Sequence, residues 1–379
     1  MPADVVAIAQ PRMLVLARES RGWKQGDVAK AMKALDGDDS KVSQAYVSRA
    51  ESGKLPVSGD RLDLYANALG YPAELLTLER GEIGAGAGLI HHRKQQAVAA
   101  PELRRIHAIL NLTRVQLAGL LDGVPRSIEA KIPQIAVDDY LSPEEAADEL
   151  RAEWGLPGGP IDSIIAILEA AGGLVLARSL VAPAPLNSGN DSVPVDAVSS
   201  CTPGEDPIVL LNAGTPGDRQ RFTLAHELGH MVMHTIPHPD QEKQANRFAA
   251  QLLMPAKDIR ANFQGAVDLR LLLSLKEQWH VSMWALLRRA HTLDEISDWQ
   301  YRTLAVQMAS LGYRTTEPSS LDPEQPVAVR AAVDWRLDHG SDVDSLARAA
   351  LLRPEEFTCL YLGSTTRLPI STITAEVRT

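Results

Sequence analysis

Residues 226–230 read His-Glu-Leu-Gly-His, and this pentapeptide restricts the fold more than any other feature of the chain. In a helix the i, i+4 spacing puts His226 and His230 on one face, where both imidazoles can reach a single ion. Glu227 stands about 100° round the helix and can hydrogen-bond a metal-held water instead of the metal. A hydrolytic zinc site takes three protein ligands, so another element must lie against this helix and supply the third. Glu242 is the leading candidate. It opens EKQANRFAAQLLMP, a helix whose Ala245, Ala249 and Ala250 permit close packing and which Pro255 terminates. Asn246, one turn beyond Glu242, can orient a ligand histidine through its other ring nitrogen.

The extended motif that continues with Gly at 233 and His at 236 is excluded, because Met233 and Ile236 stand there. Together, RFTLAHELGH and EKQANRFAAQLLMP closely resemble the ImmA/IrrE family of bacterial and phage metallopeptidases, over about residues 154–289. The resemblance implies a zincin-like α+β domain, Zn2+ on His226, His230 and Glu242, and Glu227 as general base. His234, frequent in that family, lies one turn beyond His230 and is expected to face the site. One departure is visible: the family often has a second acid where this chain has Gln244. With Glu242 as ligand the change is expected to be harmless, because Gln244 lies about 200° round the helix from it.

The first 80 residues carry a different pattern. Short amphipathic helices follow one another from Arg12 to Gly70, with Met13, Leu14, Val28, Met32, Val47, Leu62 and Leu69 among the inward positions. A helix opening at Trp23-Lys24-Gln25 and ending near Lys33, then a second over SQAYVSRAESG, suits a helix-turn-helix. In that motif the second helix enters the major groove N-terminus first, which gives Ser43, Gln44, Tyr46, Ser48 and Arg49 the DNA-reading roles. SQAYVSRAESGK resembles the recognition helix of the Cro/CI-type repressor fold, over about residues 12–78, and Gln25 matches that fold's phosphate-touching position. The insertion ALDGDDSK lengthens the turn and adds acids near the DNA side.

Charge limits how the chain meets nucleic acid. With 38 basic and 48 acidic residues the net charge is −10, which excludes a protein that coats nucleic acid without specificity. Between Lys41 and Lys54, however, Lys41, Arg49 and Lys54 face only Glu51, so a local basic face survives. Two cysteines, Cys201 and Cys359, far apart and without CxxC spacing, exclude a disulfide scaffold and a thiolate zinc site. The N-terminus does not read as a signal peptide, and no segment reads as membrane-spanning, so the expected location is the cytoplasm.

The expected fold class is multidomain and mainly α. An all-α helix-turn-helix domain occupies 1–80, a linker and connecting helix 81–135, a zincin-like α+β domain 136–290 and a C-terminal helical region 291–379. The glycine-rich GEIGAGAG segment, 81–88, marks the first boundary. Short strands are expected at Pro194–Ser199 and Ile208–Leu211, followed by a helix over Phe222–His234. Within the C-terminal region, DVDSLARAALLRPEEF resembles a small helical pair, suited to a partner or to a second helix-turn-helix.

The functional expectation is a DNA-associated zinc endopeptidase that regulates transcription by cleaving a repressor or similar regulator. Its partners are then a DNA operator and that protein substrate, with no membrane, and a homodimer would suit a palindromic operator. The alternative is a non-catalytic DNA-binding regulator or antitoxin-like protein that uses the zinc domain for binding or sensing. Glu227 separates the two, since catalysis requires it and a sensory zinc does not.

Overall fold

Five short helices build the N-terminal module because a turn signal interrupts each apolar stretch. They are α1 (Pro11–Ser20), α2 (Gln25–Asp36), α3 (Gln44–Glu51), α4 (Asp60–Leu69) and α5 (Ala73–Thr77). Pro11 starts α1, the Ser43 hydroxyl accepts the Tyr46 N–H to cap α3, and Gly70, left-handed at φ 73°, ends α4. Met13, Leu14, Val28, Met32, Val47 and Tyr65 fill the centre. Beside them the buried Glu51 carboxylate accepts from Arg18 Nε (2.6 Å), Gln25 Nε2 (2.9 Å) and Tyr65 Oη (3.3 Å). The second helix runs to Asp36, three residues past its expected end near Lys33. The lengthened turn therefore begins at Gly37, and Arg61 holds Asp36 at 2.9 Å.

The remaining elements are β1 (Ile90–Arg93), α6 (Ala100–Leu121), α7 (Pro143–Glu153), α8 (Ile164–Ala170), β2 (Leu174–Arg178), β3 (Ala197–Ser200) and β4 (Ile208–Asn212). Next come α9 (Gly217–Met233), α10 (Gln241–Leu253), α11 (Ala256–Ile259), α12 (Leu269–Trp279), α13 (Met283–Thr292) and α14 (Asp298–Ser310). The described residues end with α15 (Ala328–Asp338), α16 (Val343–Ala349), α17 (Pro354–Phe357) and a π-helical turn over Thr358–Leu362. This computed structural model describes residues 7–37, 39–79, 99–126, 131–180, 195–202, 204–236 and 238–363, and the main-chain pairing of 90–93. The glycine-rich 81–88 segment and the last sixteen residues of the C-terminal region lie outside the described residues.

One sheet divides the molecule. Its strand order is β1-β3-β4-β2, with β2 and β4 parallel and the other pairs antiparallel. Successive strand residues face opposite ways, and here the two faces enter different cores. Val175, Ala197, Val209 and Leu211 pack towards α7–α14. Leu174, Leu176, Val198, Ile208 and Leu210 pack towards the N-terminal module, α6 and α15–α17. Apolar runs such as IVLL follow from burial on both faces.

The connecting helix α6 is therefore a core element, with Ile106, Leu110, Leu117 and Leu120 fully buried. The C-terminal pair α16 and α17 packs on the N-terminal module and α6. Arg21, stacked 4.2 Å over Tyr71, reaches Glu356 at 3.1 Å, and Arg353 reaches Asn67 at 2.9 Å.

A proline-rich strap, residues 317–327, fastens the two cores together through carboxylates placed at helix N-termini, where main-chain N–H groups lack helical partners. Glu317 accepts from Met283 N (2.8 Å), Trp284 N (3.2 Å) and the buried Lys276 ammonium (2.9 Å). Glu324 accepts from Ile165 N (2.9 Å), the Ser163 hydroxyl (2.6 Å) and Arg221. Glu169 returns the arrangement by accepting from Val327 N and Ala328 N, both at 3.0 Å.

The strap also explains why α9 starts at Gly217 and not near Phe222. Gly217 N donates to Leu321 O at 3.1 Å, and the Gln220 side-chain amide donates to Glu324 O and accepts from Glu324 N. A Cβ at Gly217 would lie 2.4 Å from Asp322 O. These contacts come from more than 100 residues away, so local sequence could not signal the extra turn.

Candidate metal centre and nucleic-acid interface

Helix α9 brings His226, Glu227 and His230 into the interior, each with no exposed surface. Helix α10 lies against it at close range, because Gly229 leaves room for the fully buried Phe248 ring. That packing delivers Glu242, with its side chain half exposed, to the same point. Nε2 of His226 and Nε2 of His230 are 3.0 Å apart, and the Glu242 carboxylate oxygens stand 3.5 Å and 3.3 Å from them. Zinc with tetrahedral bonds of about 2.0–2.1 Å separates neighbouring ligand atoms by about 3.4 Å. The three residues therefore fit a metal ion of that kind, and they form the one such cluster among the described residues.

Both histidines are held from behind. Nδ1 of His226 faces Asn246 Oδ1 at 3.2 Å, and the Asn246 amide nitrogen donates to Glu242 O at 2.7 Å. Nδ1 of His230 lies 2.9 Å from Nδ1 of His234, whose Nε2 is 2.9 Å from Gln244 Oε1. Burial pushes the His234 pKa down to about 4 against the opposing Gln244 bond, so the ring is neutral at pH 7. Burial raises the Glu242 carboxyl, but the hydrogen bonds from His226 and His230 outweigh it and hold the group well below the usual carboxylate range.

Two residues that sequence reasoning passed over take part. Ser199 of β3 is fully buried and donates its hydroxyl to Glu227 Oε2, tying the sheet to the carboxylate beside the candidate ligands. A polar residue in an apolar strand was the available signal, but the strand's pairing decides which face it occupies. Gln244 is the second. Its angle from Glu242 is irrelevant, because His234 at the C-terminal end of α9 reaches across to meet it. Outside the cluster, His291 pairs with Asp298 at 2.7 Å and its ring lies 4.6 Å from that of Tyr301, tilted by 33°.

Family comparison agrees with both halves of this geometry. Residues 14–76 match the helix-turn-helix family, and residues 188–291 match the IrrE N-terminal-like domain. The chain carries a helix-turn-helix domain and an IrrE N-terminal-like domain. Among curated proteins, none matches it. The IrrE-like match covers β3, β4, α9 to α12 and α13 as far as His291, and so includes all three candidate ligands together with Glu227, Ser199 and Gln244.

In the helix-turn-helix domain, α3 presents Gln44, Ser48 and Arg49 to solvent, with Tyr46 half-buried and Val47 and Ala50 turned inward. The Ser43 hydroxyl is engaged as the α3 cap (3.3 Å from Tyr46 N), and the Gln25 side chain, at the first residue of α2, is engaged by Glu51. No helix of the described residues is long and apolar enough to cross a membrane.

Proposed function

We propose that the protein is a DNA-associated zinc endopeptidase of the cytoplasm that regulates transcription by cleaving a repressor or similar regulator. The observation that carries this reading is the buried Glu227 carboxylate, anchored by Ser199 directly beside the convergent His226, His230 and Glu242. Zn2+ held by those three residues would supply Lewis-acid polarisation of the scissile carbonyl. Glu227 accepts a proton from the attacking water as its oxygen bonds to the carbonyl carbon, then passes the proton to the amide nitrogen as the C–N bond breaks. Ser199 fixes the rotation of that carboxylate through one oxygen. Asn246 and His234 hold the ligand rings in register.

DNA binding falls to α3. Gln44, Tyr46, Ser48 and Arg49 read base edges, while Ser43 and the first turn of α2 at Gln25 approach phosphates, where helix N–H groups favour anions. A homodimer suits a palindromic operator. Because the N-terminal module shares its core with one face of the sheet, operator binding and the metal site belong to one packed body. This supports a peptidase stationed at the gene it controls.

The decisive comparison is native protein against Glu227→Gln, with zinc content and cleavage of a neighbouring-gene regulator measured at equal folding. Zinc in both and cleavage by the native chain alone is expected. Zinc in both with cleavage by neither would favour a non-catalytic regulator.

A further inference from the structure

Strand β3 spends its two edges on different partners, and the alternation of bonded and non-bonded pairs in an antiparallel ladder assigns them. Asn212 N donates to Asp196 O at 2.9 Å, directly opposite it in the β3–β4 register, so Val198 and Ser200 also bond towards β4. The main-chain groups of Ala197 and Ser199 then face β1, opposite Arg93 and His91.

Ser199 is thereby tied in two directions. Its hydroxyl donates to Glu227 Oε2, and its main chain pairs with β1, which lies against α9 as β3 does. Any extended chain that pairs with Ser199 is therefore led past Glu227 and the convergent His226, His230 and Glu242. A peptide substrate needs that place, because adding a strand to a sheet edge satisfies the main-chain groups of both partners. β1 already holds it. The opposite edge, β2, lies two strands away from β3, beyond β4.

The hold is light. β1 has four residues and a single neighbour, and its bonds to β3 fall only at His91 and Arg93. It belongs to the connection between α5 and α6, and no further strand is built on it. An incoming strand replaces its bonds one for one and leaves no main-chain group of β3 unpaired.

We propose that β1 is an autoinhibitory strand: it occupies the β3 edge on which an extended substrate segment pairs beside Glu227, and the substrate binds by displacing it. The inference rests on the peptidase reading above.

A cross-strand disulfide tests this in the full chain. His92 and Val198 stand opposite each other as a pair without main-chain bonds, where Cα atoms are about 4.5 Å apart, within the span of a disulfide. His92→Cys with Val198→Cys, in a Cys201→Ser, Cys359→Ser background, should lose cleavage of the neighbouring-gene regulator when oxidised, at unchanged Zn2+ content, and recover it on reduction. His91→Pro deletes the N–H that faces Ser199 O. It should lower KM about two- to tenfold at unchanged kcat, the worth of one ladder bond in the opening step. A β1 that only completes the fold predicts otherwise: the tether would leave cleavage intact and the proline would impair it.

Oxidised protein that cleaves as fast as the reduced form would overturn the proposal, as would a folded His91→Pro chain with unchanged or raised KM. If the proline variant does not fold the tether decides, and if the disulfide does not close His91→Pro decides. Cleavage by His91→Pro but not by the native chain sustains the proposal, with β1 closing the edge fully. No cleavage by native, reduced and His91→Pro chains, all loaded with Zn2+, removes the peptidase reading and this inference with it.

Discussion

Gly229→Ala sets two effects of opposite sign against each other at the contact that builds the candidate metal site. Gly229 sits inside α9, where alanine favours a helix over glycine by about 1 kcal/mol. The added Cβ, however, would stand 2.9 Å from Cδ1, 3.2 Å from Cγ and 3.3 Å from Cβ of Phe248. Phe248 is fully buried, and rotating its ring cannot relieve the Cβ contact, so α10 itself must shift by a few tenths of an ångström.

Overpacking of this kind costs about 1–3 kcal/mol. The balance is a loss of roughly 0–2 kcal/mol, the difference of those two values. The same shift moves Glu242, six residues earlier on α10, away from His226 and His230 and widens the 3.3 Å and 3.5 Å separations. Each tenfold loss of Zn2+ affinity corresponds to about 1.4 kcal/mol.

Urea unfolding of the metal-free protein and chelator competition for Zn2+ measure the two consequences separately. Gly26→Ala in α2 is the control, since its Cβ meets nothing within 4 Å and should stabilise by up to about 1 kcal/mol. If Gly229→Ala stabilises as much as the control and binds Zn2+ as tightly as the native chain, the α9–α10 contact yields freely. The close-packing argument would then be wrong.

Burial pushes the Glu169 carboxyl up from 4.5 to about 7, against the lowering effect of the Ala328 and Val327 N–H bonds. A folded pKa above the unfolded one gives stability that is present below about pH 4.5 and lost as pH rises through 7, at most about 3 kcal/mol. Glu169→Gln should flatten that loss in urea titrations between pH 5 and 8, and an undiminished slope would contradict the assignment. On α3, Arg49→Ala should weaken operator binding by about 1–3 kcal/mol with relaxed specificity if the side chain reads a base. An equal loss on operator and scrambled duplex would assign it to phosphate instead.

Much of the candidate metal site was legible because a helix converts sequence spacing into geometry. The i, i+4 histidines of HELGH had to share a face, and Glu242 and Asn246, also four apart, had to stand together on the next helix. The helix-turn-helix was legible for a similar reason. Its turn residues and inward apolar positions are local, although Glu51 as the anchor of Arg18, Gln25 and Tyr65 carried no mark in the sequence. Ser199 and Gln244 were not legible, because one depends on strand register and the other on where α10 crosses the end of α9.

By itself the sequence determined the local helices, their caps and the chemistry grouped within one or two turns, since those depend on short-range periodicity and hydrogen bonding. Only the tertiary structure decided that a single sheet would serve two cores, that α6 and the C-terminal helices would join the N-terminal module, and that the 317–327 strap would extend α9 backwards. Those outcomes rest on contacts between residues far apart in the chain. Their partners are chosen by which apolar faces and unpaired helix ends the folded chain brings within reach.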